Sequence, residues 1–318
     1  MKILVTGATG LVGGALLLHL LDSGHEVRAA LRGDGGGVAP GCQPVRVGEI
    51  GPETAWGEAL AGVEAVVHAA GCVHGGGTKS EFAHRARCLA VNVDGTINLA
   101  RQAVAAGVRR FVFVSTIKVN GEFSEKGRPF TAEDLPRPVG AYALSKQAAE
   151  TGLRRLAGES GLEVVIVRPP LVYGPGVKAN FQTMMRWLKW GVPLPFGAID
   201  NRRSLVALDN LVDLLGLCLV HPAVAGQIIL AADGEDLSTS QLLRRLAGAM
   251  GKRALLVPVP ANIVAAGMGL CGLGDEARRL CADLQVDIGP TTALLGWRPP
   301  VSLHTALHKT VRHYLQSS

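Results

Sequence analysis

The sequence predicts an α/β protein with a doubly wound parallel sheet and a smaller, partly interleaved C-terminal domain. Three observations support this prediction. Short β-branched runs alternate with amphipathic stretches in the first half, a glycine-rich turn joins the first run to the first helix, and prolines and glycines cluster after "VIVRPPLVYGPG". Alternating strands and helices are typical of a parallel sheet with helices on both faces. Hydrophobic residues make up 48% of the 318 residues, which is enough for a substantial core.

The first half contains six candidate strands, namely residues 2–6, 25–31, 44–47, 63–68, 109–115 and 162–168. Helical patterns lie between them, such as "LVGGALLLHLLDSG" and "VNVDGTINLARQAVAAG". The second pattern ends at Gly107, a residue type that commonly terminates helices. The strand-like "QIILAA" at 227–232 can rejoin the same sheet. The predicted first domain is therefore residues 1–170 together with about 205–232.

Residues 171–204 and 233–318 are predicted to form a substrate-binding domain of separate helices. One helix opens with "DLSTSQLLRRL", in which Ser238 and Gln241 fit a capping box. The run 254–274 carries no charge and approaches the length of a membrane span. Pro258 and Pro260 interrupt it, so a short strand, a turn and a buried helix are expected, without stable membrane insertion.

Charge and cysteine content restrict the class of ligand. The net charge is +6, which suits an anionic ligand. The basic residues are scattered and aromatic residues are only 4%, so no nucleic-acid partner is expected. The six cysteines form no Cys-x-x-Cys, and none has a histidine at metal-ligand spacing, which predicts reduced thiols and no metal site. A strand starting at residue 2 leaves no room for a signal peptide, so a cytoplasmic location is expected.

The glycine-rich turn predicts a dinucleotide-binding, Rossmann-type domain. Gly7, Gly10 and Gly13 follow a strand directly and precede an amphipathic helix. Glycines let the backbone turn sharply and approach a pyrophosphate, which then faces the N–H groups at the helix start. The predicted phosphate contacts are Gly7, Thr9, Gly10, Leu11 and Val12.

The end of the second strand predicts which dinucleotide is preferred. An acid at this position usually bonds the ribose 2′-hydroxyl of NAD, but the sequence has Leu31–Arg32, and Asp34 lies beyond the strand. An arginine can pair with a 2′-phosphate, so NADP(H) is preferred and NAD(H) is possible. Further predicted cofactor contacts are Glu49 and Ile50 beside the adenine, and Ala69, Ala70 and Gly71 in "VVHAAG". His68 in the same run is interpreted as a hydrogen-bonded sheet-end residue.

The stretch "AYALSKQAAE" places Tyr142 and Lys146 four residues apart, hence on one face of a helix. A nearby ammonium favours phenolate over phenol, so the pair suits acid–base chemistry. By itself this spacing is a weak signal. It gains weight because the glycine turn and a Ser115–Thr116 pair in "FVFVSTIKVNG" precede it in the chain.

Taken together, these motifs resemble the extended short-chain dehydrogenase/reductase family of sugar-nucleotide epimerases, dehydratases and ketoreductases. The likeness covers nearly the whole chain and includes "RPPLVYGPG" at 168–176 and "NRRSLVALDNLVD" at 201–213. It implies that Tyr142 transfers the proton, that Lys146 bonds the nicotinamide ribose and lowers the tyrosine pKa, and that Thr116 completes a triad. It also implies cofactor-side roles for Asn92, which supports the active-site backbone, and for Ser115 and Pro169.

The resemblance implies a UDP-sugar substrate, with Arg203 at the diphosphate. The implied substrate contacts are His74, Thr116, Lys118, Asn120, Tyr142, Asn180, Arg203 and Arg279. It also implies a homodimer through the helix that carries Tyr142 and its neighbour.

One departure narrows the expected reaction. Val119-Asn120-Gly121 stands where the family usually has Val-Tyr-Gly, so the sugar pocket should differ from that of common hexose epimerases. The motifs look most like ketoreductases that convert a UDP-4-keto-6-deoxy-N-acetylhexosamine to UDP-N-acetylquinovosamine for surface polysaccharide. The alternatives are a UDP-hexose or UDP-N-acetylhexosamine 4-epimerase with tightly bound NAD, and a non-enzymatic NADP(H)-sensing regulator. The presence of Tyr142 and Lys146 disfavours the regulator, because such proteins tend to lack this pair. Arg203 favours a diphosphate substrate over the substrate of a steroid-type dehydrogenase.

Overall fold

The computed structural model describes residues 1–33, 37–73, 80–270 and 272–317. Nine strands lie in these ranges, and all of their pairings are parallel. They are β1 (Lys2–Thr6), β2 (Glu26–Leu31), β3 (Gln43–Arg46), β4 (Ala65–His68), β5 (Arg110–Val114), β6 (Glu163–Arg168), β7 (Leu171–Tyr173), β8 (Leu205–Ala207) and β9 (Ile228–Leu230). Seven of them form one sheet in the order β3-β2-β1-β4-β5-β6-β9, and β7 pairs with β8 separately.

Helices cover both faces of the large sheet and build the C-terminal part. The α-helices are α1 (Leu11–Asp22), α2 (Gly57–Leu60), α3 (Glu81–Cys88), α4 (Gly95–Ala105), α5 (Gly140–Ser160), α6 (Ala179–Trp190), α7 (Leu208–Val220), α8 (Thr239–Ala249), α9 (Ala261–Leu270), α10 (Gly274–Cys281), α11 (Gly289–Leu295) and α12 (Leu303–Gln316). A π-helical turn, Leu89–Asp94, joins α3 to α4, and short 3₁₀ turns cover Ile117–Val119 and Pro222–Val224.

The predicted Rossmann-type arrangement is confirmed. All six predicted strands form within about two residues of their expected bounds, and the strand expected at 227–232 returns as β9 beside β6. The helix expected to end at Gly107 does end there, with Gly107 at φ +78°. The Ser238–Gln241 capping box at α8 is also present. Parallel strands of such a sheet place their carboxyl ends at one edge, where ligands of this fold bind.

Two apolar layers sandwich the sheet. One layer packs α1 and α7 on it through residues such as Leu16, Leu20 and Leu211, and the other packs α2, α4 and α5. A third cluster around Phe181 and Leu243 forms the core of the C-terminal part, with the small β7–β8 sheet at its margin. The larger apolar layers make the sheet a firm support for residues at its carboxyl edge.

The segment 254–274 differs from the prediction. Leu256 makes a short bridge to Leu194, but α9 is largely exposed, and Val264 is its single buried residue. Leu270 is 92% exposed. The expected buried helix is therefore wrong, because the second core is filled from α6, α8 and α12 instead. Across the residues that the structure describes, no helix has the length and apolar character needed to cross a membrane.

Candidate active site

The glycine turn between β1 and α1 is packed against the end of β4. Gly7 has φ +70°, and a Cβ atom there would lie 2.7 Å from the backbone nitrogen of Ala70. A Cβ atom on Gly13 would lie 2.1 Å from the carbonyl oxygen of Gly7. Side chains at these two positions would push α1 away from the sheet, so both glycines are required by packing.

The first turn of α1 fits a pyrophosphate. Its N-cap is Gly10, no side chain in the described ranges caps it, and its first turn contains no acid. Thr9 and Gly10 are exposed, and Leu11 and Val12 are half-buried. The N–H groups of this turn and the helix dipole therefore face outward toward an anion, as a nicotinamide dinucleotide requires.

The end of β2 carries a charge pair instead of a single cation. Nη1 of Arg32 lies 3.6 Å from a carboxylate oxygen of Glu49, and the two side chains are 68% and 73% exposed. The carboxylate of Glu49 opposes binding of a 2′-phosphate by Arg32, which the sequence interpretation did not consider. Asp34 lies outside the described residues. Ile50, next to Glu49, packs against Gly95. A Cβ atom on Gly95 would lie 2.7 Å from Cγ2 of Ile50.

Thr116, Tyr142 and Lys146 come together at the carboxyl end of β5. The Thr116 hydroxyl lies near the Tyr142 phenol and acts to lower its pKa, which favours phenolate. Burial outweighs this effect and raises the pKa of Tyr142 to about 12. The sequence interpretation expected Lys146 to lower that pKa, and this structure shows the opposite shift.

The Lys146 ammonium forms a hydrogen bond with the backbone of β5. It is buried, donates to the carbonyl oxygen of Val114 at 2.9 Å, and lies 4.4 Å from the ring centroid of Phe113. Burial lowers the pKa of Lys146 to about 8, and the Glu150 carboxylate partly offsets that shift. Lys146 is therefore still mostly protonated at neutral pH.

The loop after β4 is held beside Lys146 by Asn92. The Asn92 amide accepts from the backbone nitrogen of Cys72 at 2.7 Å, donates to the carbonyl of the same residue at 2.9 Å, and donates to the Ser145 hydroxyl at 2.9 Å. A Cβ atom on Gly71 would lie only 3.3 Å from the Lys146 nitrogen. Asn92 thus supports the backbone next to Lys146, the arrangement expected for it.

A buried ionic network beneath the triad was missed by the sequence interpretation. Ser115 Oγ donates to Glu150 Oε1 at 2.5 Å, and Arg168 donates to both carboxylate oxygens, at 3.0 and 2.5 Å. A signal was available, since Glu150 lies four residues after Lys146 and therefore on the same helical face. Arg168, at the end of β6, gave no comparable signal.

Asn120 belongs to this network and does not line a sugar pocket. Its amide accepts from Arg168 Nη1 at 2.9 Å, donates to the carbonyl of Thr131 at 2.7 Å, and is 1% exposed. The predicted contact between Asn120 and the substrate is therefore not seen, because the Asn120 amide is buried and bonded within the protein. Pro169 is also buried, and its carbonyl accepts from the backbone of Ile117, which follows Thr116.

Three cations gather around Glu122. Lys118 Nζ lies 3.4 Å and Arg279 Nη2 3.8 Å from one Glu122 oxygen, and Arg203 donates to the carbonyl of Ala282 at 3.1 Å. Burial and the charge of Arg279 lower the pKa of Arg203 to about 10, opposed by Asp283 and Glu122. Within the described ranges, Nε of Arg279 is buried without a hydrogen-bond partner. The excess of positive charge and donors suits an anionic group.

Asn180, a predicted substrate residue, is not part of this cluster. Asn180 is exposed in the first turn of α6, with no described contact to the three cations. His74 lies outside the described residues. His68 is buried, with Thr6 and Thr96 on its two ring nitrogens, and burial together with Lys146 lowers its pKa to about 3. The interpretation of His68 as a hydrogen-bonded sheet-end residue is confirmed.

The chain is similar to several known proteins over its whole length. The model of the NAD dependent epimerase/dehydratase family matches residues 3–232. A UDP-glucose 4-epimerase of Vibrio cholerae is 44% identical over 323 residues, covering 100% of this chain and 96% of the relative. A GDP-6-deoxy-D-mannose reductase of Pseudomonas aeruginosa is 27% identical over 319 residues, covering 96% and 94%. A UDP-glucuronic acid 4-epimerase structure from Bacillus cereus, in complex with NAD, has a TM-score of 0.79 at 22% identity, covering 100% and 99%.

Proposed function

This chain belongs to the NAD dependent epimerase/dehydratase family, and from that premise we propose that it catalyses nicotinamide-dependent redox chemistry at C4 of a UDP-linked hexose. The observation that carries the proposal is the placement of the Tyr142 phenol near the Thr116 hydroxyl and on the same helix as the buried Lys146. A phenol next to a hydroxyl at the carboxyl edge of such a sheet is suited to moving the proton of a sugar hydroxyl.

The dinucleotide is proposed to lie across the β1–α1 turn. Leu11 and Val12 hold the pyrophosphate through their N–H groups, Gly71 leaves room beside Lys146, and Lys146 bonds the nicotinamide ribose. When bound, the nicotinamide supplies reversible two-electron chemistry.

Tyr142 is proposed to carry the proton. A pKa of about 12 keeps the phenol protonated at neutral pH, so it is ready to donate to a developing alkoxide. Donation leaves a phenolate, which the Thr116 hydroxyl stabilises. In the reverse direction this phenolate accepts the proton from a sugar hydroxyl. Lys146 remains positively charged nearby and adds to that stabilisation.

The cation cluster is proposed to bind the UDP diphosphate. Arg203 and Arg279 offer guanidinium groups, and Lys118 offers an ammonium on the turn that follows Thr116. Guanidinium groups bind phosphates through paired hydrogen bonds. The unpartnered Nε of Arg279 is a donor that such a ligand would satisfy.

We assign 4-epimerisation as the first candidate reaction. The 44% identical relative over the full chain is a UDP-glucose 4-epimerase, which supports this choice. An epimerase must retain its nicotinamide through both half-reactions. Glu49 beside Arg32 favours a neutral ribose 2′-hydroxyl, so NAD is the cofactor proposed for this reaction.

Net reduction of a UDP-4-keto-6-deoxy-N-acetylhexosamine is the second candidate. It is favoured by Asn120, which occupies the usual tyrosine position and is turned into the protein interior. The 27% identical reductase relative acts on a 6-deoxy sugar nucleotide by name. Arg32 supports the NADP(H) preference that goes with this reaction.

One set of assays separates the candidates. The purified protein is examined for bound nicotinamide, then incubated with UDP-glucose and UDP-N-acetylglucosamine, and separately with NADPH and a UDP-4-keto-6-deoxy amino sugar. Interconversion of 4-epimers without nicotinamide consumption supports the epimerase. Oxidation of one reduced nicotinamide per product supports the reductase. Cofactor binding without either reaction overturns the enzymatic proposal and favours a regulator.

Assembly and domain division are also proposals. The C-terminal core around Phe181 and Leu243 supports a separate substrate-binding lobe of 171–204 and 233–318.

Helices α4 and α5 pack closely at Gly152 and Ile97, and Leu144 of α5 is 44% exposed, which supports a homodimer through this pair. Light scattering should give twice the chain mass, and Leu144→Asp should give a monomer. A monomeric wild type would exclude this interface. A cytoplasmic location remains part of the proposal.

A further inference from the structure

Two cysteines and one histidine meet beside the catalytic helix. Cys72 lies in the loop after β4, while His84 and Cys88 lie four residues apart on α3. The Cys72 and Cys88 sulfurs are 3.6 Å apart, and His84 Nε2 lies 3.3 Å from the Cys88 sulfur. All three potential ligand atoms lie within 4.8 Å of one another. The expectation that no histidine stands at a ligand spacing from a cysteine was therefore wrong.

Two of the three separations are close to those around a tetrahedral metal ion, and the third, from the Cys72 sulfur to His84 Nε2, is within 4.8 Å. Bonds of about 2.3 Å to sulfur and 2.0–2.1 Å to nitrogen place two sulfur ligands about 3.8 Å apart, and sulfur and nitrogen about 3.6 Å apart. The observed distances of 3.6 and 3.3 Å differ from these by a few tenths of an ångström. Small side-chain adjustments would be enough to bind an ion.

The protein already holds the ligands in place. Asn92 clamps the backbone of Cys72 through two hydrogen bonds. Cys88 is fully buried, and α3 is capped at its start by the Ser80 side chain. His84 is half-buried and forms the solvent side of the cluster. Such a fixed arrangement reduces the ordering cost that a flexible set of ligands would incur on binding.

We propose that Cys72, His84 and Cys88 form a binding site for a thiophilic metal ion such as Zn²⁺, with these three ligands contributed by the described residues. Two thiolates and an imidazole are ligands that zinc prefers over magnesium or calcium. Binding forms two metal–sulfur bonds and releases the two thiol protons to solvent. The Cys88 sulfur is close enough to Tyr142 to interact electrostatically with the phenol, so an ion here lies next to the catalytic proton carrier.

Cobalt provides a direct test that does not depend on activity. The full-length protein is reduced, its thiols are counted, and Co²⁺ is titrated under nitrogen, followed by displacement with Zn²⁺. One equivalent should produce thiolate-to-cobalt charge transfer and tetrahedral bands. Cys72→Ser, Cys88→Ser and His84→Ala should each weaken binding by about 100-fold or more, since outer-shell partners alone are worth about 10–100-fold.

Matched controls separate this site from surface binding. Cys42→Ser changes a cysteine elsewhere, and His304→Ala removes an exposed histidine whose ring lies 4.4 Å from that of His308. Both variants should bind cobalt like the wild type. Cofactor binding reports whether each variant is folded, and His84→Ala, at the solvent side, disturbs packing least. Absence of thiolate bands in the reduced wild type overturns the proposal, as does unchanged affinity in the folded His84 and Cys88 variants.

Discussion

Two of the arginine–glutamate pairs that border the candidate active site have different surroundings. Arg168 and Glu150 lie 2.5 Å apart with 2% and 5% of their side chains exposed, beneath Ser115 and Asn120. Arg32 and Glu49 lie 3.6 Å apart at the sheet end and are mostly exposed. The buried pair holds Ser115 and Asn120 in place beneath the active site. The exposed pair can rearrange around a ligand.

The difference in burial indicates that the first pair supports the fold and that the second pair can affect cofactor preference. A charge buried without its partner is strongly destabilising, so neither Arg168 nor Glu150 can change alone. Exposed ion pairs contribute little to stability, so Arg32 and Glu49 can change at small cost to the fold. The chemistry can thus stay constant while the cofactor preference varies.

The largest expected effect tests the chemistry that the buried pair supports. Tyr142→Phe should lower kcat by ~10²–10⁴, the usual range for general acid–base catalysis. The melting temperature should hardly change, because the Glu150–Arg168 pair does not involve the phenol. Steady-state kinetics and thermal melting measure both. A folded Phe variant with near-normal kcat would exclude Tyr142 from proton transfer.

The next effect contrasts the two pairs directly. Glu150→Gln should lower the free energy of unfolding by ~3–5 kcal/mol, because Arg168 loses its buried counter-charge. The matched Glu49→Gln should change it by less than ~1 kcal/mol. Urea denaturation gives both values. Equal losses in the two variants would mean that burial does not distinguish these pairs.

Arg203→Ala should weaken UDP-sugar binding by ~1.5–3 kcal/mol, the range for hydrogen bonds to charged groups. Nicotinamide affinity should be unchanged, since Arg203 lies in the Glu122 cluster and away from the β1–α1 turn. The neighbouring Arg202 is exposed, so Arg202→Ala is the control. Calorimetric titration with UDP and with the dinucleotide checks this. A loss confined to the dinucleotide would reassign Arg203.

The exposed pair should shift cofactor preference in opposite directions. Glu49→Gln removes a negative charge beside Arg32 and should favour NADP(H), whereas Arg32→Ala should favour NAD(H). Each shift should be ~0.2–1 kcal/mol, as for exposed charge pairs. Dissociation constants for the two dinucleotides measure it. Parallel shifts in both variants would show that the pair does not face the ribose.

The smallest effect is on the pH profile. Because the pKa of Lys146 is lowered to about 8, kcat/KM should fall as pH rises through that value and the ammonium loses its proton. Lys146→Arg keeps its charge well above this range, so its profile should stay flat there, at a lower rate. A basic limb that persists unchanged in the arginine variant would assign it to another group.

The fold could be predicted from the sequence because its strands are local patterns. The β-branched runs of β1 to β6 and the glycine turn each lie within a few residues. The β7–β8 sheet, whose strands have three residues each, was missed. The exposure of α9 was missed because an apolar composition does not reveal which helices fill a core.

The site was predictable where its spacing was local. Tyr142 and Lys146 follow helical periodicity, and Thr116 lies two residues after β5. Arg168, Asn120 and the Cys72–Cys88 contact depend on packing between distant segments, which no local pattern encodes. The raised pKa of Tyr142 also depends on burial, which opposes the charge-based expectation.

The interleaved return of β9 has a consequence during synthesis. The outer edge of β6, a valine-rich strand, is covered only by β9, about 60 residues later in the chain. At ~5–20 residues per second on the ribosome, that edge waits roughly 3–12 s for its partner. An unpaired strand edge is a template for pairing with another chain. The nascent protein is therefore most vulnerable to aggregation after its cofactor-binding strands exist and before residue 230 emerges, a window that a holding chaperone would cover.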